Sequence, residues 1–272
     1  RNMGCSGMFN SGTNLVTQLL KENCKIPERV EKYGFDGPFH DSQGKPIGPG
    51  EAHGIRWQVP WGKHMPNNYR DDHSTKWATH ICKECVLPIV TVRHPYQWMK
   101  AMCRHNYNAF WPHNDRDLCP NLVNPRHENI SVRVKYDKHE DHHTNLAALW
   151  NDWYAKYYQD STDPYIMVRF EDAIFHAKNV TYQICECAGG KIRSDRPFTY
   201  ITSSAKDGPG HGNDRTNLFK AWVKYSQPLE PKAGFDDRDY EGAIATLDAE
   251  LMSRLGYEHP APGNTESTGQ SE

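Results

Sequence analysis

No stretch of this sequence approaches the roughly eighteen consecutive apolar residues that a membrane-spanning helix requires, and no charged start with an apolar middle marks a secretory leader. A soluble chain is expected. An excess of one charge is missing too: 32 Lys and Arg stand against 34 Asp and Glu, for a net charge of −2. That balance excludes the broad field that draws proteins to nucleic acid or anionic membrane, so no nucleic-acid partner is expected and any anion site must be local. No internal repeat is present, which excludes a repeat architecture. The Gly-Lys-Ser/Thr ending of a nucleotide-triphosphatase loop is absent as well.

What is present is enough for one sizeable core. With 272 residues, 37% hydrophobic and 24% charged, the chain fits a single α/β domain over residues 1–259. Residues 260–272 are Pro, Gly, Ser, Thr and Glu in the main and are expected to be a disordered tail. The opening Arg1-Asn2 enters an apolar segment at once, which points to a trimmed chain whose leader or anchor is missing; membrane contact is expected only through such an anchor. Eight cysteines are many for a reducing cytosol, and two glycosylation sequons, Asn129-Ile130-Ser131 and Asn179-Val180-Thr181, point the same way. A Golgi-type lumen is expected over cytoplasm. The single Cys82-Lys83-Glu84-Cys85 motif lacks a second pair at zinc spacing, so a local disulfide, or bonds to other cysteines, is favoured over a metal.

Along the chain, residues 3–9 read as a strand, 10–14 as a tight loop, and Leu15, Val16, Leu19 and Leu20 as a helix face. Residues 25–66 read as a long irregular excursion rich in Gly and Pro. Val86–Val92 is a continuous apolar run of the length of a buried parallel strand, and Pro95 suits the first turn of a following helix. Residues 104–143 look like an irregular insertion, with His142-His143 at a solvated helix start. Leu146, Leu149, Trp150, Trp153 and Tyr157 mark a helix, Tyr165–Arg169 a strand, and a helical stretch then stops at Gly189-Gly190. Tyr240, Ile244, Leu247, Leu251 and Leu255 form a last helical stripe. Strands alternating with helices imply a central parallel sheet flanked by helices.

Two segments carry chemistry in that frame. Asn10-Ser11-Gly12-Thr13-Asn14 lies where a strand hands over to a helix, and there unpaired N–H groups and the helix dipole favour a phosphate or sulfate. Gly12 permits close approach, and Ser11 and Thr13 bring hydroxyl donors. Val90-Thr91-Val92-Arg93-His94-Pro95 delivers an arginine to the carboxyl end of a strand, the edge at which open α/β sheets bind ligands.

Taken together, NSGTN at 10–14, TVRHP at 91–95, MVRFEDA at 167–173 and the closing GYE at 256–258 resemble the sulfotransferases that use 3′-phosphoadenosine-5′-phosphosulfate (PAPS), in a divergent branch common in algae and other protists. The resemblance spans residues 3–257 and implies a P-loop-like sulfotransferase fold, PAPS as co-substrate and no metal. Residues 10–14 would then hold the 5′-phosphosulfate and Arg93 the 3′-phosphate, while Lys206 and Arg215 of a late glycine-containing loop would close over the adenosine. Two positions depart from the pattern: Asn10 stands where the family has a loop lysine, and Ala101 where it has a serine for the 3′-phosphate. Trp61-Gly62-Lys63-His64-Met65-Pro66 is similar to the segment with the catalytic histidine. It makes His64 the expected base and Lys63 the expected substitute for the missing loop charge; His80 and Glu51 are rival bases. The acceptor class expected first is a carbohydrate, then a small metabolite. A small-molecule kinase on the same fold, or a relic that has lost its chemistry, are the alternatives.

Overall fold

The computed structural model describes residues 2–33, 39–40, 46–47, 54–76, 78, 81–114, 117–203 and 217–263. The elements run β1 (Asn2–Gly7), α1 (Thr13–Asn23), β2 (Cys24–Lys25), α2 (Pro27–Tyr33), β3 (Phe39–His40), β4 (Pro46–Ile47), β5 (Ile55–Arg56), β6 (Val86–Val92) and α3 (Pro95–Arg104). There follow β7 (Ala109–Phe110), β8 (Val132–Tyr136), β9 (His139–His143), α4 (Leu146–Tyr158), β10 (Ile166–Arg169), α5 (Phe170–Phe175) and α6 (Ala177–Cys187). The chain ends with β11 (Lys191–Ile192), α7 (Leu218–Ser226), α8 (Asp237–Thr246) and α9 (Ala249–Arg254). Contacts divide it into two compact units, the first made of residues 1–94, 136–139 and 152–226, the second of residues 95–135, 140–151 and 227–272.

The first unit holds a four-stranded sheet in the order β10-β6-β1-β5, with every neighbouring pair parallel. The central strands earn their place by composition: Val86, Ile89, Val90 and Val92 of β6 are buried, as an apolar run covered on both faces requires. From β1, Met3 and Cys5 join α1 and α6 through Val16, Leu19, Leu20 and Ile184 in one core cluster. Ser6, the alternate position, meets the hydroxyl of Tyr157 on α4 at 2.9 Å. Gly189, with φ 73°, ends α6 as the glycine pair suggests, and the Gly190 N–H reaches back to the Cys185 carbonyl at 2.7 Å. A disulfide joins Cys24, after α1, to Cys185 of α6, and a second joins Cys82 to Cys85.

The structure corrects the expectation of an irregular 104–143. Val132, Val134 and Tyr136 alternate inward along β8, which pairs antiparallel with β7 and also neighbours β9 in a three-stranded sheet. His142 and His143 lie on β9, not at a helix start, because its one-sided HEDHH pattern suits a solvated edge strand. A buried Asp239 on α8 accepts the Asn121 and Leu122 N–H groups at 2.8 and 2.6 Å, and Cys103 is bonded to Cys119. The chain beyond α9 stays ordered further than its composition suggests. The Tyr240 hydroxyl donates to the Pro260 carbonyl at 2.5 Å and the Lys232 N–H to that of Ala261 at 2.8 Å.

Candidate functional site

The connections of the two central strands leave in opposite directions, β1 leading to β5 on one side and β6 to β10 on the other. In open α/β sheets such a switch point opens a crevice at the carboxyl ends of the strands. Residues 8–12 fill it with a turn whose Asn10 and Gly12 are left-handed, at φ 60° and 95°. A Cβ on Gly12 would come within 2.2 Å of the Phe170 ring, so glycine is required there twice over, by conformation and by space. Gly12 is the N-cap of α1 and brings no side-chain oxygen of its own to the first-turn amides. Ser11 is fully buried with its hydroxyl turned inward, donating to the Met8 carbonyl at 2.8 Å and lying 2.8 Å from the Thr91 hydroxyl. Its work is to tie the turn to β6.

Lys63 and His64 arrive at this turn from the segment that follows β5. The Gly7 N–H donates to the Lys63 carbonyl at 2.9 Å, and His64 Nδ1 lies 2.7 Å from the Gly7 carbonyl. A carbonyl can only accept, so Nδ1 carries the proton in this contact. Phe9 supports the ring at 4.7 Å between centroids, and Trp153 Nε1 donates to the His64 carbonyl at 3.0 Å. Lys63 is 7% exposed; its ammonium donates to Asn14 Oδ1 at 2.7 Å and sits 3.3 Å from the centre of the Trp57 ring. A buried cation is thus held against the first turn of α1.

Arg93 comes from the neighbouring strand end. It is 6% exposed, Nη1 donates to the Asn10 carbonyl at 3.1 Å, and Nη2 donates to the Tyr225 hydroxyl. Its guanidinium carbon lies 5.3 and 5.4 Å from the Phe170 and Tyr225 ring centres. The next residue, His94, donates its N–H to Glu171 at 3.1 Å. Tyr154 binds the Thr91 carbonyl at 2.9 Å, and burial pushes its phenol far above the usual range, so it serves as a neutral donor. Burial likewise pushes the Cys5 thiol up to about 11, which makes it no nucleophile at neutral pH.

Of the expected residues, Asn10, Ser11, Gly12, Thr13, Asn14, Lys63, His64 and Arg93 therefore gather at one sheet edge, with Thr13 buried. Ala101 is buried on α3. Glu51, His80, Lys206 and Arg215 lie outside the described residues. Sequence reasoning missed Trp57, Phe170 and Tyr225; Phe170 stood within the quoted MVRFEDA run, whereas nothing local marks Tyr225 as the partner of an arginine 132 positions earlier. Among the described residues no group of three or more metal-ligating side chains occurs, and no helix is long and apolar enough to cross a membrane. No family model matches this chain, nor does any curated protein or solved structure.

Proposed function

We propose that the chain is a sulfotransferase that moves a sulfuryl group from PAPS to an acceptor hydroxyl. The observation that supports this best is the delivery of Lys63 and His64, neighbours in one segment, to the turn and the first residues of α1. Sulfuryl transfer calls for both kinds of group. His64 Nε2 takes the acceptor proton as the acceptor oxygen bonds to sulfur, and the bond from sulfur to the 5′-phosphate oxygen breaks. The amides of residues 12–14 offset the charge that grows on the departing phosphate oxygen, and Lys63 meets the sulfuryl oxygens, in place of the loop lysine replaced by Asn10. The P-loop-like family fold, with Arg93 toward the 3′-phosphate, belongs to the same proposal. So does a Golgi-type lumen, which the three disulfides and the exposed sequon asparagines Asn129 and Asn179 favour.

Sulfate transfer from labelled PAPS to a panel of carbohydrate and small-metabolite acceptors tests the activity. Thermal shift tests the donor: 3′-phosphoadenosine-5′-phosphate should raise the melting midpoint and ATP with magnesium should not. The reverse result would favour a kinase. One observation favours a second reading, that of a relic: Arg93 is bonded to Asn10 and Tyr225 of its own chain. Binding of the bisphosphate without transfer to any acceptor would decide for it.

A further inference from the structure

The sequon Asn129-Ile130-Ser131 lies on the return limb of a tight turn in the second unit. Asn124 Oδ1 accepts the Arg126 and Glu128 N–H groups at 2.8 and 3.0 Å, and the two limbs pair antiparallel at Val123 and Asn129. Residues 125–129 and Ser131 are exposed. One end of the Asn129 carboxamide faces Asn145 at 2.8 Å, and Asn145 decides which end it is. Asn145 is fully buried at the start of α4, and its Oδ1 accepts the Ala148 N–H at 2.9 Å, a group that can only donate. The other end of Asn145 is therefore its NH2, which also donates to the Thr246 hydroxyl at 3.1 Å, so the Asn129 atom that meets it is Oδ1. Asn129 Nδ2 is left without a partner among the described residues, on an exposed side chain.

The second sequon, Asn179-Val180-Thr181, is built differently. It lies within α6, and its Thr181 is 1% exposed, with the hydroxyl donating to the Ala177 carbonyl at 2.6 Å. Ser131 is exposed instead, and its hydroxyl has no partner among the described residues.

We propose that Asn129 is the N-glycan acceptor of this chain. Its Nδ2 gives up one proton to the base of the transferring enzyme and bonds to the anomeric carbon of a lipid-linked oligosaccharide, whose bond to the lipid pyrophosphate oxygen breaks. Oδ1 keeps its bond to Asn145, so the glycan removes no contact from the fold. Glycosylation in the protein's own cells rests on the lumenal reading above and not on sulfuryl transfer.

The full chain, sent through the secretory pathway of a eukaryotic host behind an added cleavable leader, tests the site. Peptide mapping after enzymatic glycan release in heavy-oxygen water should mark Asn129 as labelled Asp in most molecules and Asn179 in fewer. Ser131→Ala should abolish the mark at Asn129, and Ser131→Thr should keep it. The glycosylated chain should melt at or above the midpoint of Ser131→Ala, which retains Asn129 but not the glycan. No mark at Asn129, higher occupancy at Asn179, or a glycosylated chain that melts below Ser131→Ala overturns the proposal. A chain that takes the glycan in this host but bears none when isolated from its own cells keeps the acceptor site and overturns the lumenal reading instead.

Discussion

At the carboxyl edge of the central sheet the polar side chains are bonded to one another: Lys63 to Asn14, His64 to the Gly7 carbonyl, Arg93 to the Asn10 carbonyl and Tyr225. At the amino edge Asn2 and Arg70 line an open volume of about 270 Å³. The same four strands frame both edges, so the difference comes from the connections. Three segments converge at the carboxyl edge and lock each other, which gives a geometry set before any ligand arrives. The amino edge is tied instead by covalent bonds, one joining Cys24 after α1 to Cys185 on α6.

The largest expected effect tests that covalent tie. The Cys24–Cys185 bond closes a loop of 161 residues, and Cys24→Ser with Cys185→Ser should lower unfolding free energy by about 5 kcal/mol in denaturant titrations. If the carboxyl edge is held by its own bonds, turnover measured well below the melting temperature should persist. Loss of turnover in native protein would mean the two edges are not separate.

Arg93→Ala should weaken binding of the bisphosphate product by about 2–4 kcal/mol in titration calorimetry, through the lost cation and the loosened turn. Tyr225→Phe removes only one hydroxyl from the guanidinium and should change affinity by about 1 kcal/mol. Equal effects would make Tyr225, rather than the charge, the element that matters.

His64→Ala should lower turnover about a hundredfold, close to 3 kcal/mol of barrier, with bisphosphate affinity unchanged. Lys63→Ala should differ in kind: it should weaken PAPS about tenfold more than the desulfated product, because its ammonium would meet the sulfuryl end. Near-normal turnover in His64→Ala would move the base to another residue, with His80 and Glu51 next.

The smallest effect is in pH. Burial holds His73, on the segment that carries Lys63 and His64, below the ordinary histidine value, with Asp137 partly opposing. Its folded value is depressed, so the unfolded state binds more protons and stability rises with pH. That contribution is complete above about pH 6.5 and is lost as pH falls through the folded value. Melting midpoints followed from pH 7.5 to 5 should drop, and His73→Gln should flatten the profile; an unchanged slope would remove His73 as a cause.

Much of the frame was legible in the residues. Val86–Val92 declared a doubly covered strand by its unbroken apolar run, and the turn at 8–12 was marked by Gly12 between a strand and a helix face. The β8 alternation of Val132, Val134 and Tyr136 was legible too, but it stands among prolines and charges that read as an insertion. His139–His143 was not, since a solvated edge strand has no apolar period to find.

By itself, then, the sequence determined what acts over a few residues: strand and helix periods, the glycine-bearing turn and the arginine at a strand end. Steric and hydrogen-bonding preferences within one or two turns of chain suffice for these. Only the tertiary structure decided which distant groups meet: Lys63 with Asn14 across 49 positions, Arg93 with Tyr225 across 132, Cys24 with Cys185 across 161. Those meetings depend on strand order, and on an edge strand of only two residues, Ile55–Arg56, that aims Lys63 and His64 at the turn. No local pattern encodes strand order, because it is set by how whole elements bury their faces against one another.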